Sequence, residues 1–135
     1  MNTLSDLWKK FTGKKYREAF VSSQLTRGIP FQIRGLRKQR EWSQLDLAEK
    51  SGLTQGVVSR AEDPDYGNLT FNTILRIAAG FDVAFIGKFV PFSELGRWFM
   101  DLSEESVQVP SFTEEIVDNL ESSKEDARRT VAQSL

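Results

Sequence analysis

Residues 43–62 read SQLDLAEKSGLTQGVVSRAE, and their types suit two short helices that cross at a tight turn. Ala48 is small enough for the second helix to pass closely above the first, and Gly52 can adopt the left-handed conformation that ends the first helix. Ser43 and Thr54 can each cap a helix N-terminus. The pattern therefore predicts a second helix from Gln55 to Glu62. The side chains predicted to point inward are Leu47, Leu53, Val58 and Ala61.

These positions also carry the residues of a known family, namely Arg37, Ser43-Gln44, Leu47-Ala48, Gly52, Gln55, Val58, Ser59-Arg60 and Glu62. The segment resembles the lambda-repressor-like helix-turn-helix of the Cro/xenobiotic-response-element (XRE) family of bacterial and phage regulators. The resemblance implies a mainly α fold, in which residues 30–41 form the first of five family helices and residues 55–62 form the DNA recognition helix. It also implies a sequence-specific transcriptional regulator.

The resemblance assigns roles to three residues around the recognition helix. Arg37 and Glu62 are expected to form a structural ion pair that holds this helix in place. Because a guanidinium is planar and can bond in two directions, Arg37 is also a candidate for a DNA phosphate contact. Gln44 resembles the family glutamine that bonds a phosphate and braces the first residue of the recognition helix.

A major groove admits one α-helix, and residues near its N-terminal end and on one face can reach base edges. Gln can bond adenine and Arg can bond guanine through two hydrogen bonds, so Gln55 and Arg60 are the strongest base-reading candidates. Gly56 either lets the backbone approach closely or reduces the number of base contacts. Ser59 equally suits base reading and local hydrogen bonding.

Phosphate contacts are expected around the same helix. The loop at residues 63–70, DPDYGNLT, is rich in turn formers and is either a phosphate-binding loop or a plain surface loop. The predicted phosphate contacts are Arg37, Ser43, Gln44, Thr54, Tyr66 and Asn68. Four further basic residues suit either a phosphate contact or a solvated surface, and these are Arg34, Lys38, Arg40 and Lys50.

The net charge of −1 conceals an asymmetry between the two halves of the chain. Residues 1–60 carry 12 Lys or Arg against 5 Asp or Glu, whereas residues 61–135 carry 6 against 14. A basic half that contains the recognition helix is what a phosphate-backbone binder needs. Without the motif, two ordinary solvated surfaces would explain the charges equally well.

The chain contains no cysteine and no histidine. Disulfides, the usual metal sites and imidazole catalysis are therefore excluded, and we expect neither an enzyme nor a bound metal or cofactor. The N-terminus lacks the apolar core of a signal peptide, and no run reaches the roughly 18 apolar residues of a membrane span. These features suggest a cytoplasmic protein.

Helices are predicted on both sides of the motif. Leu4, Leu7, Trp8 and Phe11 share one face of a short basic helix, which either packs on the domain or binds a membrane surface. A second helix is expected over residues 14–25 and should end near Gly28. Beyond the motif, Thr70 should cap a helix over residues 71–79 that Gly80 stops.

The C-terminal third departs from the simplest members of the family. Residues 82–90, DVAFIGKFV, alternate like a strand that would pair across a two-fold axis, although their length also allows a fifth family helix. A helix over residues 93–102 is expected to pack on this strand or across the dimer. Residues 113–121 can be helical, whereas the last dozen look loosely held. The predicted dimerisation residues are Val83, Phe85, Ile86, Phe89 and Trp98.

The sequence thus predicts four parts: an N-terminal helical extension (1–28), a helix-turn-helix DNA-binding domain (29–81), a strand and helix for dimerisation (82–102), and an acidic, partly disordered tail (103–135). The expected function is that of a repressor that binds a near-palindromic operator as a homodimer. Two alternatives keep the fold but add or substitute a protein partner: an antitoxin that binds a toxin, or a coactivator-type module that contacts RNA polymerase.

Overall fold

The computed structural model describes residues 3–100 and 109–134, and all regular structure in these two ranges is helical. Helices α1 and α2 span Leu4–Lys10 and Lys14–Ser23, and a π-helical turn at Gln24–Gly28 joins α2 to α3, which spans Ile29–Gln39. The remaining helices are α4 (Gln44–Ser51), α5 (Gln55–Ala61), α6 (Phe71–Phe81), α7 (Phe92–Met100) and α8 (Phe112–Ser134).

Short hydroxyl side chains start five of these helices, including α8, where Ser111 Oγ accepts from the Glu114 amide at 3.3 Å. Ser43 accepts a hydrogen bond from the Asp46 amide at 3.0 Å, and the Asp46 carboxylate accepts one from the Ser43 amide at 2.8 Å. Hydrogen bonding of the carboxylate to the Ser43 backbone amide, and next to the Ser43 side chain, lowers the pKa of Asp46. Thr3 forms the same capping box with Asp6, whereas Thr54 and Thr70 each cap a helix through the hydroxyl alone. The predicted caps at Ser43, Thr54 and Thr70 are confirmed.

Left-handed residues end α3, α4 and α6. Glu41, Gly52 and Asp82 have φ angles of 58°, 66° and 58°. After each of them, the next amide reaches back to a carbonyl five residues earlier, as in Val83 N to Ala78 O at 3.0 Å. Gly80 therefore does not stop α6 as predicted, because the helix continues to Phe81 and Asp82 takes the terminating conformation.

The core of the domain lies where α3, α4, α5 and α6 meet. Its most completely buried large side chains are Leu47, Val58 and Phe81, and the Trp42 ring stacks on Phe81 at a centroid distance of 5.6 Å. The predicted inward-facing residues lie in this core, with Leu53 half-buried at its edge. The complete buried cluster consists of Ile33, Leu36, Leu47, Ala48, Val58, Ala61, Ile77 and Phe81.

A second, aromatic cluster joins the N-terminal helices to α7. Phe11 is buried, and its ring lies 5.1 Å from that of Phe20 and 5.2 Å from that of Phe92. Gly96 of α7 is also buried, with the Leu4 side chain close to its backbone. Helix α7 thus packs on α1 and not on a strand. Leu7 and Phe11 of the predicted apolar face are buried, whereas Leu4 and Trp8 are 42% and 53% exposed. Leu102, predicted to lie on the α7 stripe, falls outside the described residues.

The prediction that a helix ends near Gly28 is wrong. The π-helical turn carries the chain directly from α2 into α3, and Pro30 occupies the first turn of α3. Proline cannot donate an amide hydrogen bond, and its ring needs space from the preceding turn. A π-helical turn is wider than an α-helical turn and gives the proline ring this space. The helical path from α2 into α3 can therefore continue without a break.

The predicted strand is wrong. Residues 83–91 lie outside helix and strand and run without a turn or bend. Within the described residues, the backbone of residues 84–90 forms no hydrogen bond, because no neighbouring segment pairs with it. The alternative of a fifth family helix at these positions is also wrong, since the left-handed Asp82 ends α6. Ile86 is 84% exposed and Phe89 fully exposed.

The C-terminal segment forms a longer helix than predicted. Helix α8 continues through the last dozen residues, which the sequence suggested were loosely held and partly disordered, as far as Ser134. Its first amide, that of Phe112, donates to Asp82 O at 3.0 Å, and Val109 packs against the domain core. The start of α8 is therefore anchored to the helix-turn-helix domain.

Gly80 is required for close packing between α4 and α6. A Cβ atom at position 80 would overlap Ser51 Oγ and lie 3.1 Å from Ser51 N. We expect Gly80→Ala to lower the free energy of unfolding by about 1–3 kcal/mol in denaturant titrations. Ser51→Ala is the matched control, since its buried hydroxyl has no hydrogen-bond partner among the described residues and should be lost without cost. A Gly80→Ala variant as stable as the parent would contradict this account of the contact.

Candidate nucleic-acid interface

Helix α5 has one buried and one exposed face. Val58 and Ala61 are 0% and 1% exposed and fix the helix against the core. The residues predicted to read bases, Gln55, Gly56, Ser59 and Arg60, all lie on the exposed side. The Thr54 hydroxyl accepts a hydrogen bond from the Val57 amide at 3.2 Å and fixes the start of the helix. The structure thus presents the four predicted residues together on one short helix.

A buried ion pair holds the other end of α5. Arg37 Nε and Nη2 donate to the two carboxylate oxygens of Glu62 at 2.7 and 2.8 Å. The two side chains are only 11% and 4% exposed. Arg37 Nη1 also donates to Trp42 O at 2.9 Å, and the hydrogen bonds to Glu62 raise the pKa of Arg37. The ion pair implied by the resemblance is present and links α3 to the end of α5.

Arg37 has little capacity left for a second role. All three of its nitrogens donate to acceptors within the protein, and the guanidinium is largely covered. A phosphate contact by Arg37 stays a prediction, whereas its structural role follows directly from the geometry.

Arg60 lies across the exposed face of α5. Its guanidinium carbon is 5.8 Å from the centre of the Tyr66 ring, and a Cβ atom at Gly56 would stand 3.6 Å from Arg60 Nη1. A Cβ atom there would be in ordinary van der Waals contact with the guanidinium, so Arg60 extends back along the helix over position 56. Tyr66, predicted only as a phosphate contact, also flanks this arginine. The spacing of Gly56 and Arg60, four residues apart on one helix face, is the sequence signal for this arrangement.

The predicted phosphate contacts surround α5 in different environments. Ser43 uses its hydroxyl in the α4 cap, and Gln44 is half-buried at the first position of that helix. Tyr66 and Asn68 are exposed on either side of Gly67, which has a φ of 72°. These positions are compatible with contacts to a DNA backbone beside the recognition helix.

The four further basic residues, which suit either a phosphate contact or a solvated surface, lie in different environments. Arg34 and Lys38 are exposed. Arg40 instead donates to Phe81 O and lies 5.1 Å from both the Trp42 and the Phe81 ring, so it braces the core and neither predicted role fits it. Lys50 lies 4.7 Å from the Trp42 ring.

Sequence reasoning missed one contact in the turn itself. Arg76 Nη1 of α6 donates to Gly52 O at 3.3 Å, so α6 supports the turn between α4 and α5.

Residues 3–100 and 109–134 contain no group of acidic side chains suited to a metal ion. Of the helices in the same ranges, none is long and apolar enough to cross a membrane.

Taken together, a capped and exposed recognition helix above a supporting helix defines a DNA-binding helix-turn-helix protein. Residues 33–86 match the model of a protein family described as helix-turn-helix. This domain belongs to the lambda-repressor-like Cro/XRE family, which confirms the resemblance, and the protein is a DNA-binding transcription regulator. The searches of curated proteins and of solved structures gave no match.

The ion pair gives a direct test of how α5 is held. We expect Glu62→Ala to lower the free energy of unfolding by about 3 kcal/mol, because Arg37 would keep a largely buried charge without its partner. Thermal and denaturant unfolding followed by circular dichroism measure the loss. Glu49→Ala, which removes an exposed glutamate from α4, is the matched control and should leave stability nearly unchanged. Equal stability of the Glu62→Ala variant and the parent would contradict the proposed support.

Proposed function

We propose that this regulator is a repressor that binds a near-palindromic operator as a homodimer. The observation that carries the proposal is the exposed face of α5, where Gln55 and Arg60 project from a helix whose opposite face is fixed in the core. These two side-chain types can make paired hydrogen bonds to adenine and guanine. Repression requires only tight occupancy of a site that overlaps a promoter.

The length of α5 supports a dimer. The helix has seven residues and is therefore about 10 Å long, which limits it to a few base pairs. Specific binding then requires two recognition helices, placed about 34–36 Å apart on successive turns of the groove. A two-fold axis between two copies would give this spacing and match a near-palindromic operator.

Exposed apolar side chains between α6 and the end of α7 are candidates for the dimer contact. Ile86, Phe89 and Trp98 are largely exposed, and Phe85 is partly so. Val83, in contrast, packs against the core of its own domain and is less suited to contact a second copy. Burying the four exposed side chains against a second copy would remove apolar surface from water.

Selection of binding sites from random DNA tests the operator proposal. We expect an inverted repeat with half-sites one helical turn apart, and protein bound in a ratio of two chains per site. On a template in which this site overlaps a promoter, added protein should decrease transcription in vitro, whereas a template with a scrambled site should be unaffected. A single unrepeated half-site bound by one chain would contradict the dimer, and increased transcription would contradict the repressor.

The base-reading residues are tested on the selected site. We expect Gln55→Ala and Arg60→Ala each to weaken binding by about 1–3 kcal/mol and to relax preference at one base pair per half-site. Gln133→Ala and Arg97→Ala remove the same side chains from exposed positions of α8 and α7 and serve as controls. Equal losses on the selected and on random DNA would show that Gln55 and Arg60 contact only the backbone.

A further inference from the structure

Among the residues that the structure describes, helix α8 has no packing neighbour along most of its length. Every side chain from Phe112 to Gln133 is exposed, and the contacts that anchor the helix lie at its start, where the Phe112 amide meets Asp82 O and Ser111 Oγ accepts from the Glu114 amide. Most of the stability of a helix in a protein comes from packing one apolar face. A helix of 23 residues with such a face exposed therefore calls for a covering partner.

The sequence of α8 contains a seam of the coiled-coil type. Val117, Leu120, Lys124 and Ala127 follow one another at spacings of three, four and three residues, which places them on one side of the helix. Val117 and Leu120 are 49% and 56% exposed. The aliphatic stem of a lysine can contribute to such a seam while its ammonium group stays in water.

The charges of α8 are divided between its two halves. Residues 112–121 carry four acidic side chains and no basic one, whereas residues 122–134 carry three basic side chains and two acidic ones. Within the described residues, none of the four carboxylates in the first half forms an ion pair, and neither do Lys124 and Arg128. In the second half, Arg129 lies 3.8 Å from Glu125 of the same helix.

From this pattern we propose that α8 pairs with α8 of a second copy of this chain in antiparallel orientation. The proposal rests on the homodimer proposed above and gives it an additional interface. Antiparallel pairing places the acidic half of each helix beside the basic half of the other. In this register Val117 faces Ala127 of the second copy, Leu120 faces the stem of Lys124 of the second copy, and Glu114 flanks Arg128 of the second copy.

The charges favour a second copy over other occupants. A uniformly basic partner protein would be repelled by Lys124, Arg128 and Arg129, and a parallel pair of α8 helices would place acidic half against acidic half. Antiparallel pairing avoids both conflicts, apart from the two Glu121 side chains, which this register brings together at the two-fold axis. It also has a two-fold axis perpendicular to the helices, as an isologous dimer requires.

A charge exchange in the full-length chain tests the pairing, with the dimer dissociation constant measured by sedimentation equilibrium. Glu114→Arg and Arg128→Glu each turn two symmetry-related attractions into repulsions, and each should raise the constant about fivefold or more. Mixing the two variants should restore parental affinity, since every 114–128 pair in the mixed dimer is again of opposite charge. Asp118→Arg makes the same charge change as Glu114→Arg at a position facing away from the seam, and should leave the constant unchanged.

The apolar seam is tested separately. Leu120→Asp should raise the dissociation constant about tenfold or more, whereas Ser122→Asp, on the outer side of α8, should not change it. Circular dichroism and thermal unfolding of the helix-turn-helix domain establish that each variant is folded, because α8 contributes no residue to its buried core.

These experiments can reject the α8 pairing without rejecting the proposed homodimer. A parental dimer whose dissociation constant is unchanged by Leu120→Asp and by both charge variants would overturn the α8 pairing but leave the homodimer in place. Mixed charge variants that associate no better than either alone would overturn the antiparallel register. A parent chain that stays monomeric both free and on its selected DNA would overturn the homodimer together with the α8 pairing.

Discussion

The bidentate ion pair between Arg37 and Glu62 is the interaction on which the recognition surface depends. It joins α3 to the residue that ends α5, at N–O distances of 2.7 and 2.8 Å, in a largely covered environment. A seven-residue helix is too short to be stable by itself. With Thr54 capping its start, Val58 and Ala61 packed beneath it and Glu62 held at its end, α5 keeps a fixed orientation. Rigid placement of this kind is what allows a few side chains to discriminate between bases.

Close backbone contacts provide the second constraint. Gly80 lets α6 approach α4 at Ser51, and Arg76 of α6 supports the carbonyl of Gly52 in the turn before α5. Gly56 lies on the opposite, exposed side, where the Arg60 side chain extends over it beside Tyr66. Of these two glycines, Gly80 is the one whose missing side chain the packing requires.

Local rules predicted the helix-turn-helix well because its features depend on neighbouring residues. Ser43, Thr54 and Thr70 cap helices through bonds to amides three residues away, and the left-handed Gly52 ends α4 as expected. The strand at residues 82–90 was mispredicted because a strand requires a partner segment, which residue propensities do not reveal. Gly80 was misread as a helix stop because a close contact with Ser51 depends on a residue 29 positions away in the sequence. Of the interface, the exposure of Gln55 and Arg60 was predictable, whereas the proximity of Arg60 to Tyr66 required the structure.

Protection of guanine N7 from dimethyl sulfate on the selected operator tests the central claim most directly, because N7 lies in the major groove. If α5 enters that groove, the parent protein will protect guanines in two patches one helical turn apart, and Arg60→Ala will lose protection at one guanine in each patch while the others stay covered. Unprotected guanine N7 atoms with the site fully occupied, or an Arg60→Ala pattern identical to that of the parent, would contradict the assignment of α5 as the recognition helix.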